Sequence, residues 1–311
     1  MKQILVIGSR GSKLALTQAR FVQSELERMG SSLEVQIEII TTSGDVNSEP
    51  LAVIGGKGVF TKELEEALLS RRIDLAVHSL KDLPTIVPDG LTIAAICKRE
   101  DPRDALVLRQ TQGSAPNPSL DNLPQQAVVG TSSPRRLAQL KLLRNDLVIE
   151  EVRGNVDTRL RKLDEGRYDG LILACAGLNR LGLASRISSP LSTEQMLPSP
   201  GQGALGIETR ADDVDTIAAV TQLDHKFTRL ACTAERSFLR SLGGGCQLPI
   251  AAYASVRDKK IKLDGLVAEV QGQRIVRDRI SGSFAEAEQL GTALAERVLA
   301  NGARELLDAS E

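Results

Sequence analysis

The feature that most constrains this chain is an alternation of strand and helix patterns, which runs through the N-terminal part and then starts again. Apolar runs such as QILVIGS and LTIAAIC are typical of buried strands, and residues 12–29 between them carry apolar side chains at helical spacing. The alternation resumes after the charged, proline-containing stretch KREDPRD and continues to about residue 177. Two successive β/α series predict two doubly wound α/β sheets.

The pattern changes from about residue 221. Residues 231–242 have a helical pattern, and the consecutive strand patterns PIAAYASV, KIKLDGLVAEV and QRIVRDRIS follow before a last helical stretch, 285–300. This order predicts a small α+β C-terminal domain with an antiparallel sheet of three strands. Hinges are predicted at KREDPRD and at MLPSPGQGALGIE (196–208), which are rich in proline, glycine or charge.

Composition narrows the classes of partner. The 311 residues include 39 Lys and Arg against 40 Asp and Glu, so the net charge is −1 and no overall field attracts nucleic acid or an anionic membrane. Aromatic residues make up only 2% of the chain and tryptophan is absent, which argues against stacking platforms for single-stranded nucleic acid. No apolar run approaches the length needed to cross a bilayer.

The cysteines indicate the redox environment. The chain has 4 of them, Cys97, Cys175, Cys232 and Cys246, far apart and without a C-x-x-C pair. This spacing favours neither a zinc cluster nor a disulfide framework, so no metal site is predicted and the thiols are expected to stay free in a reducing compartment. The N-terminus lacks the long apolar region and cleavage site of a signal peptide, and we expect a soluble, cytoplasmic protein.

Arginines recur where predicted strands end. They are Arg10, Arg135, Arg136, Arg153, Arg159 and Arg180. In doubly wound folds the binding crevice lies outside the carboxyl ends of the strands, where helix N-termini also offer N–H donors. Any one of these arginines is equally well explained as a solvated surface charge. The whole set predicts a cleft for a substrate with several negative groups, because guanidinium groups bind carboxylates and phosphates in pairs of hydrogen bonds.

Two lysine motifs accompany the arginines. HSLKDLP follows a strand, so Lys81 and Asp82 are expected in the same crevice, although Asp82 could equally be a helix cap or pair with Lys81. A lone carboxylate among arginines could hold a cation or accept an N–H. GGKGVFTKELE lacks the spacing of a phosphate-binding loop, and Lys57 within it is expected on a mobile lid.

Cys246 differs from the other cysteines because three glycines precede it in SLGGGCQLPI. The predicted helix before it would end at Gly243, and the glycines after that point could bring the sulfur to the mouth of a cleft. The stretch is explained equally well as a tight turn.

Nine motifs in order closely resemble the porphobilinogen deaminase family. They are GSRGSKLAL, GGKGVFTKELE, AVHSLKDLP, DPRDAL, GTSSPRR, RGNVDTRL, AGLNRLGL, PGQGALGIE and GGGCQLPIAA. The resemblance covers nearly the whole chain and implies a deaminase that joins four porphobilinogen molecules head to tail, with loss of ammonia at each step, and then hydrolyses off hydroxymethylbilane. It also implies a dipyrromethane cofactor held by a thioether to Cys246.

The resemblance further implies roles for individual residues. Asp82 matches the catalytic aspartate, which holds pyrrole N–H groups and stabilises the cation formed when ammonia leaves. The implied cofactor-binding residues are Asp82, Lys81, Thr131, Ser133, Arg135, Arg136 and Cys246. The implied substrate-binding residues are Arg10, Ser12, Lys57, Arg153, Arg159, Arg180 and Gln202.

The family fold implies three domains. Two resemble periplasmic binding proteins, at 1–101 with 201–220 and at 102–200, and the third, 221–311, bears the cysteine. A monomer is implied, whose product passes to uroporphyrinogen-III synthase. Two alternatives remain at this stage: a non-enzymatic anion-binding module of the periplasmic type, and a cysteine acyltransferase or hydrolase with Cys246 as nucleophile.

Overall fold

The computed structural model describes residues 4–30, 33–43, 60–109, 118–244 and 248–308. Contacts along the chain divide it into two units. The first comprises Met1–Glu100 with Ala204–Leu230, and the second comprises Asp101–Gly203 with Ala231–Glu311.

The elements follow the predicted order. The strands are β1 (Ile4–Ser9), β2 (Glu34–Ile39), β3 (Leu75–Ser79), β4 (Leu91–Ile96), β5 (Asp104–Leu108), β6 (Val128–Gly130), β7 (Val148–Glu150), β8 (Gly170–Ala174), β9 (Ser189–Pro190), β10 (Leu205–Arg210), β11 (Ile250–Arg257), β12 (Lys260–Ala268) and β13 (Ile275–Ser283). The α-helices are α1 (Lys13–Met29), α2 (Lys62–Leu69), α3 (Pro134–Leu143), α4 (Val156–Asp164), α5 (Cys175–Arg180), α6 (Val214–Thr221), α7 (Lys226–Ser241), α8 (Ala287–Val298) and α9 (Arg304–Asp308).

The first unit contains a five-stranded sheet in the order β2-β1-β3-β10-β4. Strand β1 is parallel to β2 and β3, and β10 is antiparallel to both of its neighbours. One face packs on α1 through residues such as Val22 and Leu26, and the other packs on α2 through Leu64 and Leu68. Because helices cover both faces, the central strands are nearly continuous apolar runs, which is why the sequence shows them so clearly.

The second unit contains a sheet with the same arrangement, in the order β7-β6-β8-β5-β9. Here β6 is parallel to β7 and β8, and β5 is the antiparallel strand between β8 and β9. The prediction of two α/β sheets is confirmed. The prediction of a hinge over 196–208 is wrong at its end, because Leu205–Arg210 is a fully buried strand. Its glycine and glutamate concealed the strand pattern.

The C-terminal sheet is the predicted antiparallel one, with the order β11-β12-β13. Helix α8 and the buried Phe238 of α7 pack on it, and Gly265 is required there because a Cβ atom would lie 2.7 Å from the Phe238 ring. Helix α7 begins at Lys226, earlier than the predicted 231. Gly243, with a φ of 68°, follows its end as predicted. The division into three domains stays a prediction.

Candidate functional site

In the first unit, Arg10 and Ser12 follow β1 where α1 begins. The Arg10 guanidinium lies over the ring of Phe60, 4.1 Å from its centroid, and this cation–π contact orients the side chain. Ser12 caps α1: its Oγ accepts a hydrogen bond from the Ala15 amide at 3.3 Å. The first turn of α1 contains no acidic residue, so the end of β1 presents positive charge and helix N–H groups together.

Asp82 closes a 3₁₀ turn, Leu80–Asp82, that continues directly from β3. Leu80 and Leu83 are buried on either side of it, and the Leu80 amide donates to the Ala204 carbonyl at 3.0 Å. Gly206 on the neighbouring strand makes room, because a Cβ atom there would lie 3.0 Å from Leu80 Cδ1. The buried leucines therefore fix the turn, while the Asp82 side chain is exposed and Lys81 is half-buried.

His78 belongs to the interior of the sheet. Its Nε2 lies 3.1 Å from Oε2 of Glu208, and both side chains are buried. Burial raises the pKa of Glu65 on α2, and the nearby charge of Glu208 adds to this effect while that of His78 opposes it. His225, the other histidine, bonds Thr228 through Nδ1 at 2.8 Å. Both imidazoles therefore already have partners within the first unit.

In the second unit, the turn after β6 leads into α3. The Thr131 amide donates to the Glu150 carbonyl at 2.9 Å, and Thr131 Oγ1 accepts from the Ser133 amide at 3.3 Å. Ser133 caps α3 by accepting from the Arg136 amide at 3.4 Å, and Pro134 occupies the first turn. This rigid turn fixes the start of the helix that carries Arg135 and Arg136.

Arg135 and Arg136 are buried and share one carboxylate, that of Asp104. Arg136 donates to Asp104 Oδ1 from Nε at 3.1 Å and from Nη2 at 2.7 Å, and from Nη1 to the Ile172 carbonyl at 2.9 Å. Arg135 Nη1 lies 2.8 Å from Asp104 Oδ2 and donates to the Leu197 carbonyl at 2.7 Å. Although burial opposes it, the charge of Arg135 and Arg136 holds the pKa of Asp104 far below its usual value.

Arg159 lies near the cluster formed by Arg135, Arg136 and Asp104, and its charge is the least compensated of the three arginines. It donates from Nε to the Gly154 carbonyl at 2.7 Å, and no carboxylate of a described residue pairs with it within 4.0 Å. Burial, and then the positive charge of Arg136, lower the pKa of Arg159 to about 10. The cation is therefore held in a place that disfavours it, and a bound anion would relieve that cost.

This cost gives a test on the apoprotein. Arg159→Met keeps the apolar stem and removes the charge, so the free energy of unfolding of the apoprotein rises by about 1 kcal/mol. Because an anion partner is lost, turnover falls at least about tenfold. Urea unfolding and initial rates measure the two effects. Arg161→Met on the same helix is the matched control, since that side chain is 65% exposed and should change neither quantity. A less stable apoprotein in the Arg159 variant would contradict this account.

The other predicted side chains of this unit lie at the edge of the cluster. Gln202 is buried and donates from Nε2 to the Pro102 carbonyl at 2.7 Å and to Asp104 at 3.0 Å. Arg180, at the end of α5, donates to the Gly203 carbonyl at 2.6 Å. Arg153 is paired with Glu151 at 2.8 Å, and this partner raises the pKa of Arg153.

Sequence reasoning missed two buried acids here. Asp104 opens the apolar run DALVL, and a carboxylate buried in such a strand needs cationic partners. The motif PRR contains two candidates, Arg135 and Arg136. Glu235 of α7 accepts the Gly201 amide at 2.7 Å and the Ala254 amide at 2.8 Å. It thereby ties the segment that carries Gln202 to β11.

Lys57 and Cys246 lie outside the described residues. The described cysteines are Cys97, Cys175 and Cys232, all free and buried. Burial raises the pKa of the Cys175 thiol to about 12. Cys175 opens α5 instead of lying in a strand, because β8 ends at Ala174, three residues before the end of the predicted strand GLILACAG.

These facts predict the outcome of alkylation. Iodoacetamide at pH 8 should leave Cys97, Cys175 and Cys232 unmodified in the native protein, because each is buried and, at Cys175, the raised pKa also keeps the reactive thiolate scarce. In urea all of them should react. Peptide mass spectrometry reads both states, and a modified Cys175 in the native protein would contradict the packing described for α5.

Within the described ranges, no group of three or more His, Cys, Asp and Glu side chains could hold a metal ion. Of the helices that these ranges contain, none has both the length and the apolar character of a membrane span.

Comparison with known proteins gives matches along almost the whole chain. Residues 5–218 match the family model described as "Porphobilinogen deaminase, dipyromethane cofactor binding domain", and residues 229–300 match "Porphobilinogen deaminase, C-terminal domain". Relatives called porphobilinogen deaminase include one from Nostoc sp., 48% identical over 99% of this chain and 94% of its own length. Another, from Synechococcus elongatus, is 48% identical over 97% of this chain and 94% of its own length.

Solved structures similar to this chain include the methionine-binding protein MetQ, with 14% identity, a TM-score of 0.45, and coverage of 71% of this chain and 89% of MetQ. The VFT2 domain of Bordetella pertussis BvgS also matches, with 14% identity, a TM-score of 0.42, and coverage of 71% of this chain and 86% of that domain.

Proposed function

The chain belongs to the porphobilinogen deaminase family, and we propose that the Asp82 carboxylate and the arginine side chains of both units carry out the family's reaction in it. The chain is a transferase of porphyrin biosynthesis. It joins four porphobilinogen molecules head to tail, releases ammonia at each step and hydrolyses off hydroxymethylbilane. The family carries a dipyrromethane cofactor.

The observation that carries the assignment of binding residues is the excess of buried positive charge in the second unit. Arg135 and Arg136 share a single buried carboxylate, Asp104, and the nearby Arg159 has no carboxylate partner among the described residues. Porphobilinogen carries two carboxylates and the dipyrromethane, built from two such units, carries more. A cofactor of this charge fits the cluster, because each carboxylate can accept a pair of guanidinium hydrogen bonds. When bound, the dipyrromethane supplies the pyrrole end to which the first substrate is joined.

Asp82 is assigned the catalytic role because it is an exposed carboxylate on a rigid turn. It accepts hydrogen bonds from pyrrole N–H groups and stabilises the positive charge that develops as ammonia departs. Because Leu80 and Leu83 are buried, they hold the turn in place. The turn therefore presents the Asp82 carboxylate at the surface before the substrate binds. Lys81 beside it binds a carboxylate of the cofactor.

The remaining residues divide between cofactor and substrate. We assign Thr131, Ser133, Arg135, Arg136 and Cys246 to the cofactor, with Cys246 as the covalent thioether anchor. Arg10, Ser12, Lys57, Arg153, Arg159, Arg180 and Gln202 are assigned to the carboxylates of substrate and growing chain. Arg10 and Ser12 are supported by the positive charge and N–H donors at the start of α1.

Further parts of the proposal concern organisation. The division into domains 1–101 with 201–220, 102–200 and 221–311 is supported by the separate sheets in each range. We propose a monomer that works in the cytoplasm and passes its product to uroporphyrinogen-III synthase. The free thiols of the described cysteines support a reducing compartment.

The test is the stoichiometry of the reaction. Purified protein given porphobilinogen should release four molecules of ammonia for each tetrapyrrole formed, measured by an ammonia assay and by absorbance of the oxidised product. An anion-binding module would bind porphobilinogen without releasing ammonia. A cysteine hydrolase would release product without a covalent adduct in the resting protein, which intact-protein mass would reveal.

A further inference from the structure

Asp104 is a buried acid without an assigned role in the reaction. It opens β5, is fully buried, accepts hydrogen bonds from Arg136 and Gln202, and forms an ion pair with Arg135. Two of these side chains come from the start of α3 and the third from the segment before β10. One carboxylate on β5 thus connects two segments that carry proposed site residues.

The contacts fix how each guanidinium is oriented. Arg136 donates from both Nε and Nη2 to one oxygen, Oδ1 of Asp104, and these two bonds hold that edge of its guanidinium against the carboxylate. The Ile172 carbonyl accepts from Nη1 of Arg136, and the Leu197 carbonyl accepts from Nη1 of Arg135, the nitrogen that also faces Asp104 Oδ2. A guanidinium carries five N–H groups, so each arginine retains donors beyond these bonds.

Positive charge exceeds negative charge around Asp104. Two buried guanidinium groups meet one carboxylate, and the nearby Arg159 adds a third positive charge that Arg136 already disfavours. Without Asp104, the two buried guanidinium groups would repel one another without a compensating charge. With it, the cluster keeps a net positive charge that an anionic ligand can neutralise.

We propose that Asp104 is a positioning residue for the cofactor: it fixes the guanidinium groups of Arg135 and Arg136 and cancels one of their charges, which leaves the remaining charge for the cofactor carboxylates. This inference rests on the proposed function, since it takes Arg135 and Arg136 as cofactor-binding residues. Asp104 itself touches no ligand in this scheme and acts through the arginines.

The first measurement is the rate at which apoprotein, made in cells without porphobilinogen, gains its covalent adduct when given porphobilinogen. Intact-protein mass follows the loading. Asp104→Asn should load at least tenfold more slowly than wild type. The matched control is Asp264→Asn: Asp264 on β12 also pairs with two arginines, Arg277 and Arg279, at 2.7 Å. That variant should load within twofold of wild type.

The second measurement separates positioning from simple stabilisation. The urea midpoint of Asp104→Asn is compared with that of wild type, with and without the adduct. A positioning residue predicts a larger drop in the loaded protein, because the cofactor then also loses its ordered contacts with Arg135 and Arg136. A merely structural residue predicts the same drop in both forms.

The outcomes are distinct. Normal loading by a folded Asp104→Asn variant, or equal midpoint drops with and without adduct, overturns the proposal. If Asp104→Asn does not fold, Asp104→Glu decides, since it keeps the charge and displaces the carboxylate: it should fold and load severalfold more slowly, and loading at the wild-type rate overturns the proposal. A wild-type protein that never gains an adduct would instead refute the proposed function.

Discussion

Asp82→Asn should lower kcat by about 10²–10³-fold, because the amide keeps the shape of the side chain and removes the charge that stabilises the cation formed when ammonia leaves the substrate. The side chain is exposed and its turn is held by Leu80 and Leu83, so the fold should not change. Surface substitutions of this kind alter stability by about 0.5 kcal/mol or less. Initial rates of ammonia release and urea unfolding measure the two quantities.

The matched control for this variant is Asp89→Asn. Asp89 is also exposed and lies in the loop before β4. Its replacement should leave the rate within about twofold of wild type, as for a surface side chain without a partner in the reaction. If Asp82→Asn retains a rate within about tenfold of wild type, or about 1.4 kcal/mol in activation free energy, the cation-stabilising role is refuted.

Cys246→Ser should lack the covalent cofactor and lose at least about 10³-fold in activity. Thioether formation needs a thiolate, and a serine hydroxyl is far less nucleophilic near neutral pH. Because the sulfur serves as an anchor once the bond has formed, no histidine base beside it is required. Intact-protein mass and turnover measure the loss.

Cys232→Ala provides the control, since that cysteine is buried on α7, the helix that precedes Cys246 in the chain. It should lose stability by about 1 kcal/mol through the missing sulfur contacts, yet carry the adduct in full. Wild-type turnover by Cys246→Ser, or loss of the adduct in a folded Cys232→Ala protein, would refute the anchoring role.

The sequence predicted the fold well wherever pattern follows burial. Strands covered on both faces, such as β1 and β3, are apolar along their length, and Ser12 and Pro134 mark helix starts by capping chemistry. Strand β10 was missed because its glycine and glutamate conceal the apolar pattern. An antiparallel strand inserted between β3 and β4 cannot be recognised from local periodicity.

The candidate site was predicted as a list of side chains and not as a network. Residue type and strand ends identified Arg135 and Arg136 as anion-binding candidates, but their shared bond to Asp104 depends on contacts between β5 and α3. The distinctive burial of Arg159 likewise depends on packing that no spacing of residues encodes. Sequence identified the charges, and the structure shows which of them are compensated.

The most direct test of the whole account is the intact mass of the purified protein before and after a limiting dose of porphobilinogen. We predict a resting mass greater than that of the polypeptide by one dipyrromethane, with the adduct on the peptide that contains Cys246. After the dose, we predict a ladder of heavier species spaced by single pyrrole units. An enzyme that turns over porphobilinogen while its mass stays that of the bare polypeptide would contradict the account.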